Sequence, residues 1–187
     1  MTEPQVVLRD FVEEDLEPYV AWNEPGQAWH AFDAPYLPHP RVEPAMVERI
    51  RDRIVNHRWD TPRSRMVVAD AATGQLIGTV ARYWESEETH WLALGIVLYD
   101  PTRWGRGLGT EALGLWTDHL FAEMPHLVRL GLRTWSGNHA MIRVATRLGF
   151  REEARFRRAR IVDGQYYDAL GFGVLREEWD PSLRRRA

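Results

Sequence analysis

The chain of 187 residues contains no cysteine. That absence excludes a disulfide scaffold, a thiolate metal site and a cysteine nucleophile; it also fits a reducing compartment. Lysine is missing too, since all 24 basic residues are arginine. A lysine nucleophile or Schiff base is thereby excluded, and so is a Walker phosphate loop, which needs Gly-Lys-Ser/Thr. No apolar run approaches the ~20 residues that span a bilayer. The start, Met1-Thr2-Glu3-Pro4-Gln5, lacks the charged and apolar regions of a signal peptide. The cytoplasm is therefore the expected location, with no membrane partner. Charge of one sign is not in large excess. A net charge of −3 argues against a broad nonspecific nucleic-acid footprint and against DNA as a partner. The 7 histidines show no tight ligand spacing, so no metal is expected.

What is present is globular. With 44% hydrophobic and 27% charged residues, the chain is not wholesale disordered. Its length fits a single domain over residues 1–187, large enough to fold without staples. Val6 to Arg9 reads as a strand, after which Asp10 caps a helix carrying Glu13, Glu14 and Asp15 in its first turn. Five prolines between 23 and 44 make that stretch a loop with a short helix near Trp29. Met46, Val47, Ile50, Ile54 and Val55 set a helix over about 44 to 58. Met66–Ala69 and Leu76–Trp84 form a hairpin around 70–74, followed by an acidic loop, Glu85-Ser86-Glu87-Glu88. Trp91 to Tyr99 is nearly continuous apolar sequence and reads as a strand buried on both faces. Then helix 108–124, strand 128–135 and helix 138–148 follow, with Gly149 as C-terminal cap. Strands 151–162 and 165–175 flank the hairpin signal Asp163-Gly164. The fold class is mixed α+β, with a right-handed parallel crossover between the strands near 95 and 131.

The sharpest chemical signal is Trp104-Gly105-Arg106-Gly107-Leu108-Gly109-Thr110-Glu111-Ala112. It lies between the apolar strand and an amphipathic helix. Bare amides at such a turn, with the helix dipole behind them, suit an anion such as a phosphate. Arg103 and Arg106 add charge. A tight strand–helix turn without ligand is the plain alternative. A dinucleotide fingerprint is excluded, because these glycines lack the G-x-G-x-x-G spacing.

About thirty residues later Thr134-Trp135-Ser136-Gly137-Asn138 joins a strand to a helix that ends in Leu148-Gly149-Phe150. With these segments, with Asp163-Gly164-x-x-x-Asp168 and with Leu175-Arg176-Glu177-Glu178-Trp179, the chain resembles the GCN5-related N-acetyltransferase (GNAT) family. The branch it resembles is that of the ribosomal-protein N-terminal (RimJ/RimL-like) acetyltransferases, and the likeness runs from about 6 to 179. It implies a central, mostly antiparallel sheet of about seven strands with a splayed parallel pair, flanked by about four helices. It implies acetyl-CoA as cosubstrate and a primary amine, on a protein N-terminus or a small molecule, as acceptor. The pyrophosphate would rest on Trp104, Gly105, Arg106, Gly107, Leu108, Gly109 and Thr110. The pantetheine arm would pair with backbone around Val97, Leu98 and Tyr99, where a backbone N–H polarises the thioester carbonyl. Asn138 would hold the arm near its sulfur end.

The sequence departs from that family where acid and base usually sit, since the positions hold Ala93 and Met141. Glu85, Ser136 and Tyr167 are the replacements taken for catalysis, with Glu87, Glu88 and Tyr166 nearby; His30 and His39, in the proline-rich loop with Asp33, either border the acceptor side or are plain loop histidines. Each has a plain reading beside the functional one: a solvated acidic loop, a turn serine, a packed strand tyrosine. Trp84 and Trp135 can wall an acceptor pocket or pack the core. A non-catalytic acyl-CoA-binding module of the same fold and a simple phosphate binder stay open as alternatives. Exposed aromatic strands are compatible with a homodimer.

Overall fold

The structure, a computed structural model, describes residues 3–185, so Met1, Thr2 and the last two residues of the expected domain lie outside the described residues. Seven strands form one sheet: β1 (Val6–Arg9), β2 (Arg65–Asp70), β3 (Leu76–Ser86), β4 (Trp91–Leu98), β5 (Arg129–Trp135), β6 (Arg151–Val162) and β7 (Gln165–Leu175). Their order is β1-β2-β3-β4-β5-β7-β6. Only β4 and β5 run parallel; every other neighbouring pair is antiparallel. Among the described residues four α-helices complete the set: α1 (Leu16–Trp22), α2 (Pro44–Asn56), α3 (Leu108–Glu123) and α4 (His139–Arg147). No helix among the described residues is long and apolar enough to cross a membrane.

Period two along the strands sorts side chains onto two faces. One face packs Val68, Val80, Leu92, Leu94, Leu130 and Leu132 against α3 and α4. The other packs Val67, Ala69 and Tyr99 against α1, α2 and the turn at Trp29. The sheet is thus covered on both sides, which is why three consecutive residues of β2, Val67 to Ala69, are all buried. Trp116 of α3 is fully buried, and its indole N–H donates to the Ala81 carbonyl at 2.9 Å.

Two sequence expectations fare differently. At the end of α4 the Gly149 backbone takes φ 80°, the Phe150 N–H donates to Ala145 (3.0 Å) and the Gly149 N–H to Thr146 (3.1 Å). This paired closure is the Schellman motif, and it needs a residue tolerant of the left-handed region. Because an added Cβ would meet Leu183 only at 3.4 Å, Gly149→Ala is expected to cost about 1 kcal/mol through backbone strain alone; urea unfolding checks this. Asp10, by contrast, caps nothing. Its carboxylate takes Arg63 at 2.8 and 3.0 Å. The buried Asp15 instead accepts the Val12 N–H at 2.9 Å and pairs with Arg9 at 2.5 and 2.8 Å, and α1 starts only at Leu16. The acidic stretch is also not all loop, since Glu85 and Ser86 belong to β3.

Candidate active site

β4 and β5 are in register over only three pairs, Leu92–Leu130, Ala93–Gly131 and Leu94–Leu132. Beyond them β4 continues to Leu98 and β5 to Trp135 without pairing with each other, so the strands part toward their C-terminal ends. Gly95 to Leu98 are accordingly half-buried, which corrects the expectation of a strand buried on both faces throughout. A Cβ built at Gly95 would meet no protein atom within 4 Å. The Tyr99 N–H donates across to the Ile77 carbonyl at 3.0 Å. In an antiparallel pair the polar groups of alternate residues face the same neighbour. Gly95, Val97 and Tyr99 therefore present theirs to β3, and Ile96 and Leu98 present theirs to the gap. Of the stretch Val97 to Tyr99, Leu98 is the residue whose backbone lines the opening.

The start of α3 stands over the end of β4. A Cβ at Gly109 would touch Leu98 and Val144 of α4, each at 3.7 Å. Gly105 and Gly107 adopt φ 75° and 85°, Gly107 being the N-terminal cap of α3. The first intrahelical bond is donated by Glu111 to the Gly107 carbonyl at 3.0 Å. The amides of residues 105 to 110 precede that bond and take no backbone acceptor among the described residues. Left-handed glycines at 105 and 107 let successive amides turn toward one concavity. Leu108 and Thr110 are buried, whereas Gly105 ahead of them is exposed. Arg106 is exposed, whereas Arg103 is held by Asp70 at 2.5 Å and by Asp100 at 3.7 Å. The Trp104 indole N–H donates to the Leu98 carbonyl at 3.0 Å and so fixes the loop to the strand end.

On the sheet face away from α3, polar and aromatic groups gather. Tyr83 lies opposite Ala93. Glu85 forms a two-point ion pair with Arg133 of β5, one contact measuring 2.7 Å. That guanidinium holds the Glu85 carboxyl below the usual carboxylate range, leaving it ionised and a weak proton acceptor. Burial pushes the Tyr83 phenol up. Trp135 meets the edge of the Tyr167 ring at 4.8 Å. The Ser136 hydroxyl accepts the Asp168 N–H at 3.0 Å. Tyr166 points outward and Tyr99 inward, its phenol against Thr79 at 3.2 Å and pushed up to about 12 by burial. Asn138 caps α4, its carbonyl oxygen accepting the Met141 N–H at 3.0 Å. Its amide donates at 3.0 Å to the Phe32 carbonyl, which also receives the Trp135 indole N–H at 2.9 Å. This bridge from the proline-rich loop has no sequence signal, because its acceptor is a main-chain carbonyl. Two further concavities lie elsewhere. One of about 270 Å³ lies between α2 and β2, and one of about 670 Å³ lies beside Arg9, Trp22 and Arg103.

Residues 5–151 match the family described as the acetyltransferase (GNAT) domain. A SPbeta prophage-derived uncharacterized N-acetyltransferase, YokL, of Bacillus subtilis (strain 168) is 24% identical over 113 residues; these are 60% of this chain and 63% of that protein. Among solved structures, a GNAT-family acetyltransferase from Bacillus anthracis is 20% identical with a TM-score of 0.69, covering 95% of this chain and 98% of that one. A spermidine N-acetyltransferase from Vibrio cholerae, in complex with CoA and spermine, is 19% identical with a TM-score of 0.71, covering 93% and 97%. These structural likenesses show the fold, and the parted parallel strands beneath glycine-borne amides sit within it. By the match over residues 5–151, the chain belongs to the GNAT acetyltransferase family.

Proposed function

We propose that residues 1–187 form one acetyltransferase domain that moves an acetyl group from acetyl-CoA to a primary amine by direct attack. The observation that carries this reading is the parting of β4 from β5 under the free amides of residues 105–110. The main-chain concavity and Arg106 fit a diphosphate by charge and by donor geometry. Ile96 and Leu98 would pair with the extended arm, as a strand edge pairs with any strand-like chain. Bound acetyl-CoA supplies an activated acyl carbon whose sulfur is a good leaving group. The protein's share is to orient, to donate to the carbonyl oxygen from a fixed N–H, and to move protons. Tyr167, whose ring meets Trp135 at 4.8 Å, is the group this reading assigns to return a proton to the departing sulfur. In this reading Glu85 fixes Arg133, Ser136 ties β5 to β7, and Asn138 joins the arm's site to the Phe32 bridge. β6 and β7 lie beyond the family match, yet β7 pairs with β5 over seven positions, which supports one domain through the last strand.

Within the family we place the chain in the branch resembling the ribosomal-protein N-terminal acetyltransferases, on Trp104–Ala112, Asn138 and Leu148-Gly149-Phe150. The site carries Arg133 beside Glu85, and Arg160 lies over the Tyr36 ring at 4.7 Å. Glu85 is thus offset by a cation and Arg160 adds positive charge, which favours an acceptor with one amine over a polycation.

The test is incubation with acetyl-CoA and spermidine, glucosamine or an unblocked peptide, reading released thiol and the mass of the amine. A gain of one acetyl mass is expected, with the single-amine compounds ahead of spermidine. CoA at 100 times its Kd should stabilise the fold by ~2.7 kcal/mol, and ATP or NAD should not. Stabilisation by CoA without transfer to any amine would favour the non-catalytic binding module.

A further inference from the structure

Phe32 spans the opening between the parted strands. Its carbonyl is held by Trp135, the last residue of β5, at 2.9 Å and by Asn138, the cap of α4, at 3.0 Å. Its ring stands edge-on to Trp104 at 5.3 Å, and Trp104 is itself bonded to the Leu98 carbonyl at the end of β4 (3.0 Å). One loop residue is thus tied to the ends of both strands that diverge. Asp33 follows it. The Asp33 N–H donates to the Trp29 carbonyl at 3.1 Å, and Ala34 turns the chain with φ 48°. These bonds fix Asp33 next to Phe32, and its charge reaches Tyr83 on the sheet face that carries Arg133 and Trp135.

The charges around Asp33 separate it from Glu85. Among the described residues, those acting on the Asp33 carboxyl come from His39 and His30. The two imidazoles stack at 4.4 Å with planes 9° apart, and burial together with the charge of His39 lowers the pKa of His30. Asp33 is accessible from solvent, yet the surrounding protein desolvates the carboxyl and pushes its pKa up. The Tyr83 phenol feels Asp33, Glu85, Tyr36 and Arg133 together. Tyr167 and Arg160 reach the same side from β7 and β6, through Trp135 and Tyr36. Glu85 has its arginine partner.

We propose that Asp33 is the catalytic residue that takes the proton from the acceptor amine at the mouth of the β4/β5 gap. This rests on the acetyl-transfer reading above. The amine enters as an ammonium and gives one proton to a carboxylate oxygen of Asp33, directly or through one water. The freed nitrogen lone pair forms the C–N bond with the acyl carbon, the C–S bond breaks, and sulfur keeps its electron pair. The extra proton on nitrogen passes to sulfur by way of Tyr167, and Asp33 returns its proton to solvent. Ammonium and thioester thus give amide, thiol and one proton. A base whose pKa is raised toward the working pH is the more effective one.

Asp33→Asn, Asp33→Glu and Glu85→Gln test this. The rate is read as thiol release with spermidine, glucosamine or an unblocked peptide present, and separately with water as the sole acceptor. Asp33→Asn is expected to lower kcat/KM about 100-fold and to flatten the acidic limb of its pH profile. CoA affinity, by calorimetry, should stay within about twofold of wild type. Glu is expected to restore part of the rate and the limb, and Glu85→Gln to keep the limb. A second readout needs no cosubstrate. A carboxyl whose folded pKa lies above its unfolded value destabilises the fold at pH above both and has no effect below both. Asp33→Asn should therefore raise Tm at pH 8 and leave it unchanged near pH 3. If Asp33→Asn does not fold, Asp33→Glu must still shift the acidic limb. A variant within about threefold of wild type, with its acidic limb intact and CoA bound, overturns the assignment of Asp33. Intact CoA binding with silence toward every amine and water overturns the transferase reading, and this assignment with it.

Discussion

A valine at position 107 is expected to weaken CoA binding by about 100-fold or more, close to 2.7 kcal/mol, while the protein stays folded. Gly107 has φ 85° and caps α3. A β-branched residue avoids that region, at a strain of about 1–3 kcal/mol. The chain relieves the strain by leaving the left-handed conformation, and the amides of Gly105, Arg106 and Leu108 then no longer converge. The loss falls on the ligand rather than the fold, because this turn lies outside the main core, whose nearest members are Leu108, Ala112 and Leu113. Calorimetric titration with CoA and a far-UV circular dichroism spectrum separate the two effects. Affinity within threefold of wild type would detach the glycine loop from the diphosphate.

Trp135→Ala is the second large effect. Trp135 is buried, donates to the Phe32 carbonyl and supports the Tyr167 ring. Removing so large a side chain should cost about 3–5 kcal/mol, read as a lower urea midpoint. Trp135→Phe keeps most of the volume but loses the donor, at about 1 kcal/mol. That milder variant should free the loop from residues 23–43, raise the amine KM and leave CoA affinity unchanged. Faster tryptic cleavage after the exposed Arg41 would report the freed loop. An unchanged KM and an unchanged cleavage rate would show that the Phe32 bridge does not shape the acceptor site.

Local chemistry was readable where one residue type alone satisfies a backbone need. Gly149 closes α4, and Asp163 and Gly164, at φ 48° and 75°, make the predicted tight hairpin. The glycines before α3 were legible for the same reason, and the parallel pair β4/β5 from the strand–helix–strand order. Competition between equivalent groups was not legible. Asp10 and Asp15 both suit a helix start, and only the folded positions of Arg63 and Arg9 decide which carboxylate is left to cap. Apolar residues 95–98 look like core in sequence; that they flank an opening depends on how far β5 follows β4. The Phe32 bridge joins positions more than a hundred residues apart through a carbonyl every residue possesses. Glu85 stood out by its acidic neighbours, although its arginine lies 48 residues away on β5. Asp33, in a loop of prolines, had nothing local to distinguish it from a turn residue.

Titration of the 15N-labelled protein with CoA, followed by amide proton shifts, tests the central claim most directly. The N–H groups of residues 105–110 should move the most, those of Ile96 and Leu98 next, and Gly107→Val should abolish the whole pattern. Shifts confined to the concavity beside Arg9 and Trp22, with residues 105–110 unmoved at saturating CoA, would contradict it.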